Sequence, residues 1–586
     1  MPAVSYAFSP ARYEHQLSAI IDELLALETV DGTELQRVLR RHPKDGQGLF
    51  AKSEIIRGFR WLSDRGRVDV AEETFLERVR MKPIRTASGV APVTVLTKPF
   101  PCPGECIFCP SDVRMPKSYL SDEPGAQRAA QHRFDPYAQS LSRLLAYYNN
   151  GHSIDKVELI VLGGTWSHYP ADYQIWFIKR CLDALNELPR FLRGDEPARS
   201  DARVDFRLVG EHVDGRTPTH RYNAIVSDFQ RHHPEVEEET ASWTELFEAH
   251  RKNETAQARC VGMVVETRPD TLDLEEIIRL RRLGATKIQI GYQSLSDDVL
   301  RLNHRGHDVA ATAQAMRLLR GAGFKIHAHW MPNLYGSSPK RDVEDFERIF
   351  SDSNFKPDEL KIYPCSLIDS AELMAYYEDG RWRPYDHDEL LHVLTECLRR
   401  TPEYCRVTRV IRDIPGTDIV DGNRLTNFRE VAERSLDDSG IERREIRSRE
   451  IRQQAMGSDA LSTKETSYET SIGREHFLQM VTADDRIAGF LRLSLPKSPV
   501  PVTEIADSAM IREVHVYGVV VGLGHRRRDR SQHTGLGTQL VQRAADIARE
   551  AGYRNLAVIS SIGTREYYKR LGFAAGELYQ HLDLGA

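Results

Sequence analysis

The stretch FPCPGECIFCP at residues 100–110 places three of the chain's eight cysteines within eight positions. They are Cys102, Cys106 and Cys109, and the nearest further cysteine or histidine downstream, His132, lies twenty-three residues beyond the last of them. A structural zinc ion takes four protein ligands, so the triplet cannot close such a site alone. Three thiolates can instead hold three irons of a 4Fe-4S cluster and leave the fourth iron open to an external ligand.

The Cys-x3-Cys-x2-Cys spacing is that of radical S-adenosylmethionine (SAM) enzymes, in which the amino and carboxylate groups of SAM chelate the open iron. The triplet directly follows VTVLT at residues 93–97, which is the first predicted strand. Parallel α/β barrels carry their chemistry at the carboxyl ends of their strands. We therefore expect a cluster on Cys102, Cys106 and Cys109, with SAM as the missing ligand.

Short β-branched runs alternate with helical stretches over some 320 residues, which predicts a parallel α/β barrel, full or partial. Seven strands are predicted, at residues 93–97, 156–164, 260–268, 287–294, 325–333, 359–364 and 406–413. We assign a partial (β/α) radical SAM barrel to residues 86–422. An acidic excursion at about residues 195–256, with fourteen Asp and Glu against eight Lys and Arg, interrupts it and suggests no function of its own.

Two strand ends are candidate SAM-binding sites. Gly163 and Gly164 end the second strand, and glycines let the backbone approach a ligand. Glu266 and Arg268 end the third strand and suit a ribose or the methionine carboxylate.

The remaining cysteines offer a weaker alternative. A zinc ion could bind Cys365, Cys397 or Cys405 together with His387, but their spacing is poor. Buried core thiols are the better interpretation.

The sequence of residues 1–85 predicts a small basic helical domain at the amino terminus. Apolar residues recur at three- and four-residue steps, and residues 37–85 carry thirteen Lys and Arg against seven Asp and Glu. The whole chain has a net charge of -6, so only this segment suggests that the protein contacts phosphates.

The carboxyl-terminal region, residues 467–586, follows a charged linker at 423–466 and reads as an acetyltransferase domain of the GNAT type. QHTGLG at residues 532–537 fits the Q/R-x-x-G-x-G pattern, in which Gln532, Gly535 and Gly537 frame a turn whose backbone N–H groups wrap a pyrophosphate. Tyr567 and Tyr568 are expected near the thioester sulfur. Glu513 and His515 are candidate bases, although such strand residues often only bind the cofactor.

Composition limits the cellular setting. Hydrophobic residues make up 40% of the chain, the mean hydropathy is -0.48, and no apolar run is long enough to span a bilayer. The sequence MPAVSYAFSP at residues 1–10 lacks the features of a signal peptide. We expect a cytoplasmic protein with free thiols and no membrane partner.

Together these motifs resemble the Elongator catalytic subunit family along nearly the whole chain. The resemblance is carried by RTASGVAPVTVLTKPFPCPGECIFCP (85–110), GHSIDKVELIVLGGT (151–165), VVETRPD (264–270), IGYQSLSDDVLRLNHRGH (290–307), LKIYP (360–364), REVHVYG (512–518), QHTGLGTQLV (532–541) and AVISSIGTREYYKRLGF (557–573). It implies an enzyme that uses a 4Fe-4S cluster, SAM and acetyl-CoA to form 5-carboxymethyluridine at the wobble uridine of tRNA anticodons.

The resemblance also implies roles for individual residues. The cluster ligands are the three cysteines, and Lys361, Tyr363 and Tyr567 are catalytic candidates. The acetyl-CoA ligands implied are Lys156, Glu513, Val514, His515, Val516, Leu536, Gly537, Thr538 and Tyr568. Two features depart from the family: its eukaryotic members space the first two cysteines more widely, and the acidic excursion is not typical.

The chemistry implied is radical. A deoxyadenosyl radical abstracts hydrogen from the acetyl methyl group, the carbon radical adds to uridine C5, and thioester hydrolysis leaves the carboxymethyl group. The partners implied are the tRNA anticodon stem-loop, which must unstack its uridine, and an external electron donor. The sequence leaves open a monomer or a homodimer. Two rival hypotheses are a protein-lysine acetyltransferase on a structural iron–sulfur barrel and a non-catalytic tRNA-binding module.

Overall fold

The structure, a computed structural model, describes residues 8–80, 89–193, 219–233, 238–451, 461–497, 499–517 and 535–585. Among the helices of these ranges, none is both long and apolar enough to cross a membrane.

The amino-terminal region is helical, as predicted, and has a hydrophobic core of its own. Its helices are α1 (Glu14–Ala26), α2 (Gly32–Arg41), α3 (Lys52–Ser63) and α4 (Glu72–Val79). Asp31 begins α2 with a capping box, in which its carboxylate accepts from the backbone of Thr33 and Glu34. The region docks on the barrel through Arg60, whose guanidinium lies 3.6 Å from the ring centroid of Tyr148.

The central region is an open parallel sheet of seven strands in the order β1-β2-β3-β4-β5-β6-β8, which confirms the predicted partial barrel. All seven predicted strands are present: β1 (Ala91–Leu96), β2 (Lys156–Leu162), β3 (Arg259–Thr267), β4 (Lys287–Gln293), β5 (Lys325–Trp330), β6 (Glu359–Ile362) and β8 (Arg406–Val410). A small antiparallel pair, β7 (Leu367–Ile368) and β9 (Ile419–Asp421), lies outside this sheet.

Helices accompany these strands. They are α5 (Pro124–Gln131), α6 (Pro136–Asn149), α7 (Ala171–Leu192), α8 (Thr219–Arg231), α9 (Trp243–Asn253), α10 (Leu274–Leu283), α11 (Asp297–Leu302), α12 (Val309–Gly321), α13 (Pro339–Ser351), α14 (Leu373–Glu378), α15 (His387–Arg400), α16 (Phe428–Asp438) and α17 (Ile446–Arg449). Cys397 and Cys405 are fully buried among their apolar side chains, and burial raises the pKa of both thiols.

The carboxyl-terminal region is a mixed sheet in the order β10-β11-β12-β13-β14-β16-β15. Its elements are β10 (Ser462–Glu469), β11 (Gly473–Val481), β12 (Ile487–Pro496), β13 (Ser508–Val516), α18 (Leu536–Glu550), β14 (Asn555–Val558), α19 (Arg565–Arg570), β15 (Ala574–Ala575) and β16 (Gln580–Asp583). Only β13 and β14 are parallel neighbours, and they pair over Ser508–Ile511 alone. We call this region the acetyltransferase lobe.

The predicted linker, residues 423–466, is described at residues 423–451 and 461–466. It contains α16 and α17, and β10 begins at Ser462. Several of its charges form ion pairs: Arg429 with Glu445 at 3.2 Å, Glu450 with Arg406 of β8 at 2.6 Å, and Arg449 with Asp485 of the lobe at 2.8 Å. These described residues therefore contact both the barrel and the lobe.

A buried ionic network fixes the lobe to the amino ends of the barrel strands. Asp358, which precedes β6 and is fully buried, lies 2.5 Å from Arg512 Nη2 and 3.5 Å from Arg492 Nη1. Arg512 also pairs with Glu475 at 3.0 Å and donates to the carbonyl of Phe324 at 2.7 Å. Because the barrel supplies Asp358 and the lobe supplies both arginines, the network spans the two domains, while Glu475 and Glu513 of the lobe also pair with Arg512 and Arg492.

Replacing Asp358 by Asn should destabilise the protein by about 3 kcal/mol, because two buried guanidinium groups each lose one of their counter-charges and keep only Glu475 or Glu513. Although burial opposes the effect, Arg512 and Arg492 hold the pKa of Asp358 below its ordinary value. The stabilisation is therefore present above about pH 4 and is lost as pH falls further towards the folded-state pKa. Urea unfolding of the wild type and Asp358→Asn tests both statements.

Asp379→Asn is the matched control, because Asp379 pairs with Arg381 at the surface, where both side chains are about half exposed. Equal unfolding midpoints for wild type, Asp358→Asn and Asp379→Asn would contradict the assigned role of the network.

Candidate active site

The cysteine loop leaves the carboxyl end of β1 and is held by contacts from distant parts of the chain. The backbone N–H of Cys102 donates to Asn223 Oδ1 at 2.9 Å, and Asn223 Nδ2 donates back to the Cys102 carbonyl at 2.9 Å. Ile107 N–H donates to the carbonyl of Asn303 at 3.2 Å. Asn223 belongs to α8, so the described part of the acidic excursion holds the backbone of this loop.

All three cysteines line one cavity of about 480 Å³ at the carboxyl ends of the strands. Cations surround them: Arg305 Nη1 donates to Cys106 Sγ at 3.4 Å, and Lys117, Arg268 and Arg412 line the same cavity. Burial alone raises thiol pKa values, but Arg305 and Arg268 reverse this and lower the pKa of Cys106. At Cys109 burial prevails and the pKa is raised. The surroundings stabilise thiolate charge, which metal ligation requires.

The loop fits a 4Fe-4S cluster better than a single ion. Among the described residues, no three His, Cys, Asp or Glu side chains converge closely enough to hold one metal ion. Neither the triplet nor the set of Cys365, Cys397, Cys405 and His387 therefore forms such a group. The three thiols nevertheless share a cavity ringed by cations, with Arg268 Nη1 buried and without a hydrogen-bond partner in the described chain. That nitrogen would lie 2.1 Å from a Cβ placed on Gly104, so a larger residue there would displace the Arg268 guanidinium.

The strand-end residues predicted for SAM line the same cavity, although their individual roles stay predictions. Gly163 has a φ of +148°, and a Cβ there would lie 1.8 Å from Thr97 Oγ1, so both conformation and packing require glycine. Gly164 also faces the cavity. Arg268 pairs with Asp270 at 2.9 Å and donates to the Arg305 carbonyl at 2.6 Å.

Lys361 and Tyr363 lie on one face of β6 and its extension. Beside them is a series of hydrogen-bonded polar side chains that the sequence did not reveal. Lys361 Nζ donates to Gln289 Oε1 at 2.5 Å, and the same oxygen lies 2.9 Å from His329 Nε2. Burial, reinforced by Lys361, lowers the pKa of His329 well below its ordinary value. Burial raises the pKa of Glu266, which lies 3.8 Å from His329 Nδ1.

A second, larger cavity of about 1780 Å³ occupies the barrel lumen and reaches the acetyltransferase lobe. It shares Thr94, Leu162, Lys361, Arg409, Arg412 and Asp413 with the cavity of the cysteines. The seven residues of β2 correspond to about 20 Å of extended chain. The lumen therefore connects the cysteine loop with the lobe over roughly the height of the barrel.

The lobe contributes β13 to this cavity. Glu513, Val514, His515 and Tyr517 line it, and Val516 belongs to the same strand. Because pairing with β14 ends at Ile511, the two strands diverge where an extended cofactor arm could lie between them. Glu513 Oε1 lies 2.5 Å from Lys325 Nζ of the barrel.

The first turn of α18 has the geometry of a phosphate-binding turn. Gly535 has a φ of +77° and is the N-cap, and Leu536, Gly537 and Thr538 follow in the helix. A Cβ on Gly537 would lie 2.8 Å from Tyr567 Oη, so Tyr567 packs on this turn. Burial raises the pKa of Tyr567 despite its hydrogen bond to Thr538. Gln532 lies outside the described residues.

Tyr568 and Lys156, two further predicted acetyl-CoA ligands, lie outside the first turn of α18. Tyr568 is buried and lines the lumen cavity, so of the two tyrosines it is the one that faces the barrel. Lys156 begins β2 at the amino end of the sheet, in register with Arg259. Arg259 lies against Gly563 of the lobe, where a Cβ would come within 2.6 Å of the Arg259 Cβ.

Comparison with known proteins identifies the family. Profiles of the Radical SAM superfamily, the Radical_SAM C-terminal domain and the Acetyltransferase (GNAT) family match residues 238–349, 357–438 and 446–573. The tRNA uridine(34) acetyltransferase of Dehalococcoides mccartyi is 36% identical over 508 residues, 85% of this chain and 99% of the relative. Elongator complex protein 3 of Homo sapiens is 32% identical and covers 86% of this chain and 85% of its own length. The chain belongs to the Elongator complex protein 3 family.

A solved structure agrees with this family assignment. The Methanocaldococcus infernus Elp3 with an N-terminus deletion superposes with a TM-score of 0.66 at 32% identity, over 84% of this chain and 99% of that one. As a family member with both domains, the chain takes a 4Fe-4S cluster, SAM and acetyl-CoA. The cofactors predicted from sequence are confirmed, and the residue assignments within each site stay predictions.

Replacing Arg305 by Gln should weaken cluster retention about 10–100-fold, because the guanidinium beside Cys106 compensates thiolate charge. Iron and sulfide content after anaerobic reconstitution, followed during challenge with a chelator, measures this. Arg301→Gln is the control, since Arg301 pairs with Asp298 at the surface. Identical cluster loss in wild type and Arg305→Gln would refute the assignment.

Proposed function

We propose that the protein attaches an acetyl-derived carboxymethyl group to C5 of the wobble uridine of tRNA. The observation that carries the proposal is the lumen, which joins the cavity of the three cysteines to the acetyltransferase lobe through shared wall residues. The names of the relatives, tRNA uridine(34) acetyltransferase and Elongator complex protein 3, support tRNA as the substrate.

The cofactors supply the reactive species: SAM bound to the cluster is the source of a deoxyadenosyl radical, and acetyl-CoA is the carbon source. The chain's own residues hold and shield the reactants. Cys102, Cys106 and Cys109 hold the cluster, and Arg305 and Arg268 offset thiolate charge. At the other end, the first turn of α18 holds the pyrophosphate of acetyl-CoA.

The wall between these ends is polar, and hydrogen bonds link several of its side chains. Gln289 ties Lys361 to His329, and His327 Nε2 lies 2.8 Å from Thr408 Oγ1. Burial lowers the pKa of both histidines well below the ordinary value, so both are neutral at pH 7. Lys361 and Tyr363 face the cavity of the cysteines and are positioned to contact the uridine.

Arg37 and Arg40 are exposed on α2 in the basic amino-terminal region. They are suited to phosphate contacts with the anticodon stem-loop. The protein acts in the cytoplasm under this proposal, with an external reductant for the cluster.

The test is anaerobic incubation of reconstituted protein with tRNA, SAM, reductant and acetyl-CoA labelled in the methyl carbon. Mass spectrometry of the digested nucleosides should show labelled 5-carboxymethyluridine. Cys106→Ala should abolish the label, whereas Cys397→Ala, a core cysteine outside both cavities, should retain it.

Two outcomes would overturn the proposal. One is acetyl transfer to a peptide lysine that persists in Cys106→Ala, which indicates the protein-lysine acetyltransferase. The other is tRNA binding with no consumption of SAM or acetyl-CoA, which indicates a binding module.

A further inference from the structure

The lobe side of the lumen carries the imidazole of His515, which the sequence offers as a candidate base and an acetyl-CoA ligand without a particular step of the reaction. His515 lines the cavity from β13, two residues from Glu513 and from Tyr517, so the three share one face of the strand. Its ring stacks on Phe490, with centroids 5.6 Å apart, and lies 4.3 Å from the ring of Tyr517. Its Nε2 is buried, and no described residue forms a hydrogen bond with it.

Glu513, the other candidate base on this face, is already neutralised. Its Oε1 lies 2.5 Å from Lys325 Nζ and its Oε2 lies 2.8 Å from Arg492 Nε. Although burial opposes the effect, these two cations lower the pKa of Glu513. A carboxylate with both oxygens in ion pairs is a poor proton acceptor, because protonation would leave two buried cations uncompensated.

Glu450, the carboxylate on the other side of His515, is also paired with a cation. Glu450 Oε1 accepts from Arg406 Nε at 2.6 Å and from Tyr517 Oη at 2.9 Å. His515 therefore lies between Glu513, which pairs with Lys325 and Arg492, and Glu450, which pairs with Arg406. Burial lowers the pKa of His515 to about 4, so the ring is neutral at pH 7 and can accept a proton.

His327 is the second imidazole of this cavity, and its Nε2 lies 2.8 Å from Thr408 Oγ1. Its Nδ1 forms no hydrogen bond with a described residue, although it lies 3.5 Å from Glu359 Oε2. It belongs to barrel strand β5. His515 instead belongs to the strand that borders the expected cofactor arm, where β13 and β14 diverge.

We propose that His515 is the general base for hydrolysis of the CoA thioester, the step that frees the carboxylate of the product. This role rests on the proposed function. Water oxygen bonds to the thioester carbonyl carbon, and the water proton moves to the imidazole. The carbon–sulfur bond breaks, CoA leaves as a thiolate, and the imidazolium returns the proton to that sulfur. The products are a carboxylic acid and CoA thiol, with no net oxidation or reduction.

His515→Gln in the full-length reconstituted protein tests this role, because Gln preserves much of the shape but cannot act as a base. We expect release of CoA thiol to fall about 10²–10⁴-fold. Label from acetyl-CoA should still reach tRNA and should be recovered, by mass spectrometry of intact tRNA fragments, as a CoA thioester. Calorimetry of acetyl-CoA binding to cluster-free protein gives a readout independent of turnover, and its dissociation constant should stay within about twofold.

His476→Gln is the matched control, because His476 also lies on a strand of the lobe but pairs with Glu465 at 2.7 Å and does not line the described cavities. It should release CoA thiol at the wild-type rate.

The outcomes separate this inference from the proposed function. No label on uridine with wild-type protein would refute the proposed function. Wild-type transfer together with free 5-carboxymethyluridine formed at the normal rate by His515→Gln would refute the role of His515. Loss of acetyl-CoA binding in His515→Gln would equally refute it, because it would make His515 a binding residue.

Discussion

The buried ionic joint around Asp358 determines how the two chemistries of this chain relate to each other. Asp358 of the barrel contacts Arg512 and Arg492 of the lobe, and all three are almost completely buried. Charges of this kind are tolerated in an interior only when each has its partner in place. The lobe therefore has one favourable docking position, against the amino ends of the barrel strands. A different position would leave several of these buried charges without their partners and next to apolar side chains.

This docking puts the predicted acetyl-CoA site and the cysteine loop at opposite ends of the same parallel sheet. In a parallel sheet the loops after the strands gather at one edge, and the cysteine loop follows this rule. The lobe occupies the other edge, so the lumen is the route between them. The barrel is open, since β1 and β8 are the edge strands of the described sheet. A half-barrel with side access suits a macromolecular substrate better than a closed barrel whose lumen is filled by side chains.

The sequence predicted local features well and long-range features poorly. The cysteine spacing, the seven strands and the glycine turn each lie within a few neighbouring residues, where periodicity and spacing carry the information. Arg305 approaches Cys106 across 199 residues, and Lys325 approaches Glu513 across 188. Gln289, which links Lys361 to His329, looks from sequence like one polar residue of an amphipathic strand. The charge-dense run shows the same limit: its ion-pair partners, such as Arg406 of β8 and Asp485 of the lobe, lie far from it in the chain.

The two ends of the lumen also differ in their electrostatics, and this difference follows from the chemistry each end holds. Around the cysteines the described cations are in excess, because the counter-charge is a set of thiolates that ligation keeps ionised. Around β13 the carboxylates have cations beside them: Glu513 pairs with Lys325 and Arg492, and Glu450 pairs with Arg406. Because these ions are already paired, a neutral thioester fits there without desolvating an unpaired ion. At that end of the lumen, the neutral imidazole of His515 can take up a proton and so change the local charge. A general base must do this, whereas a strand residue with a purely structural role need not.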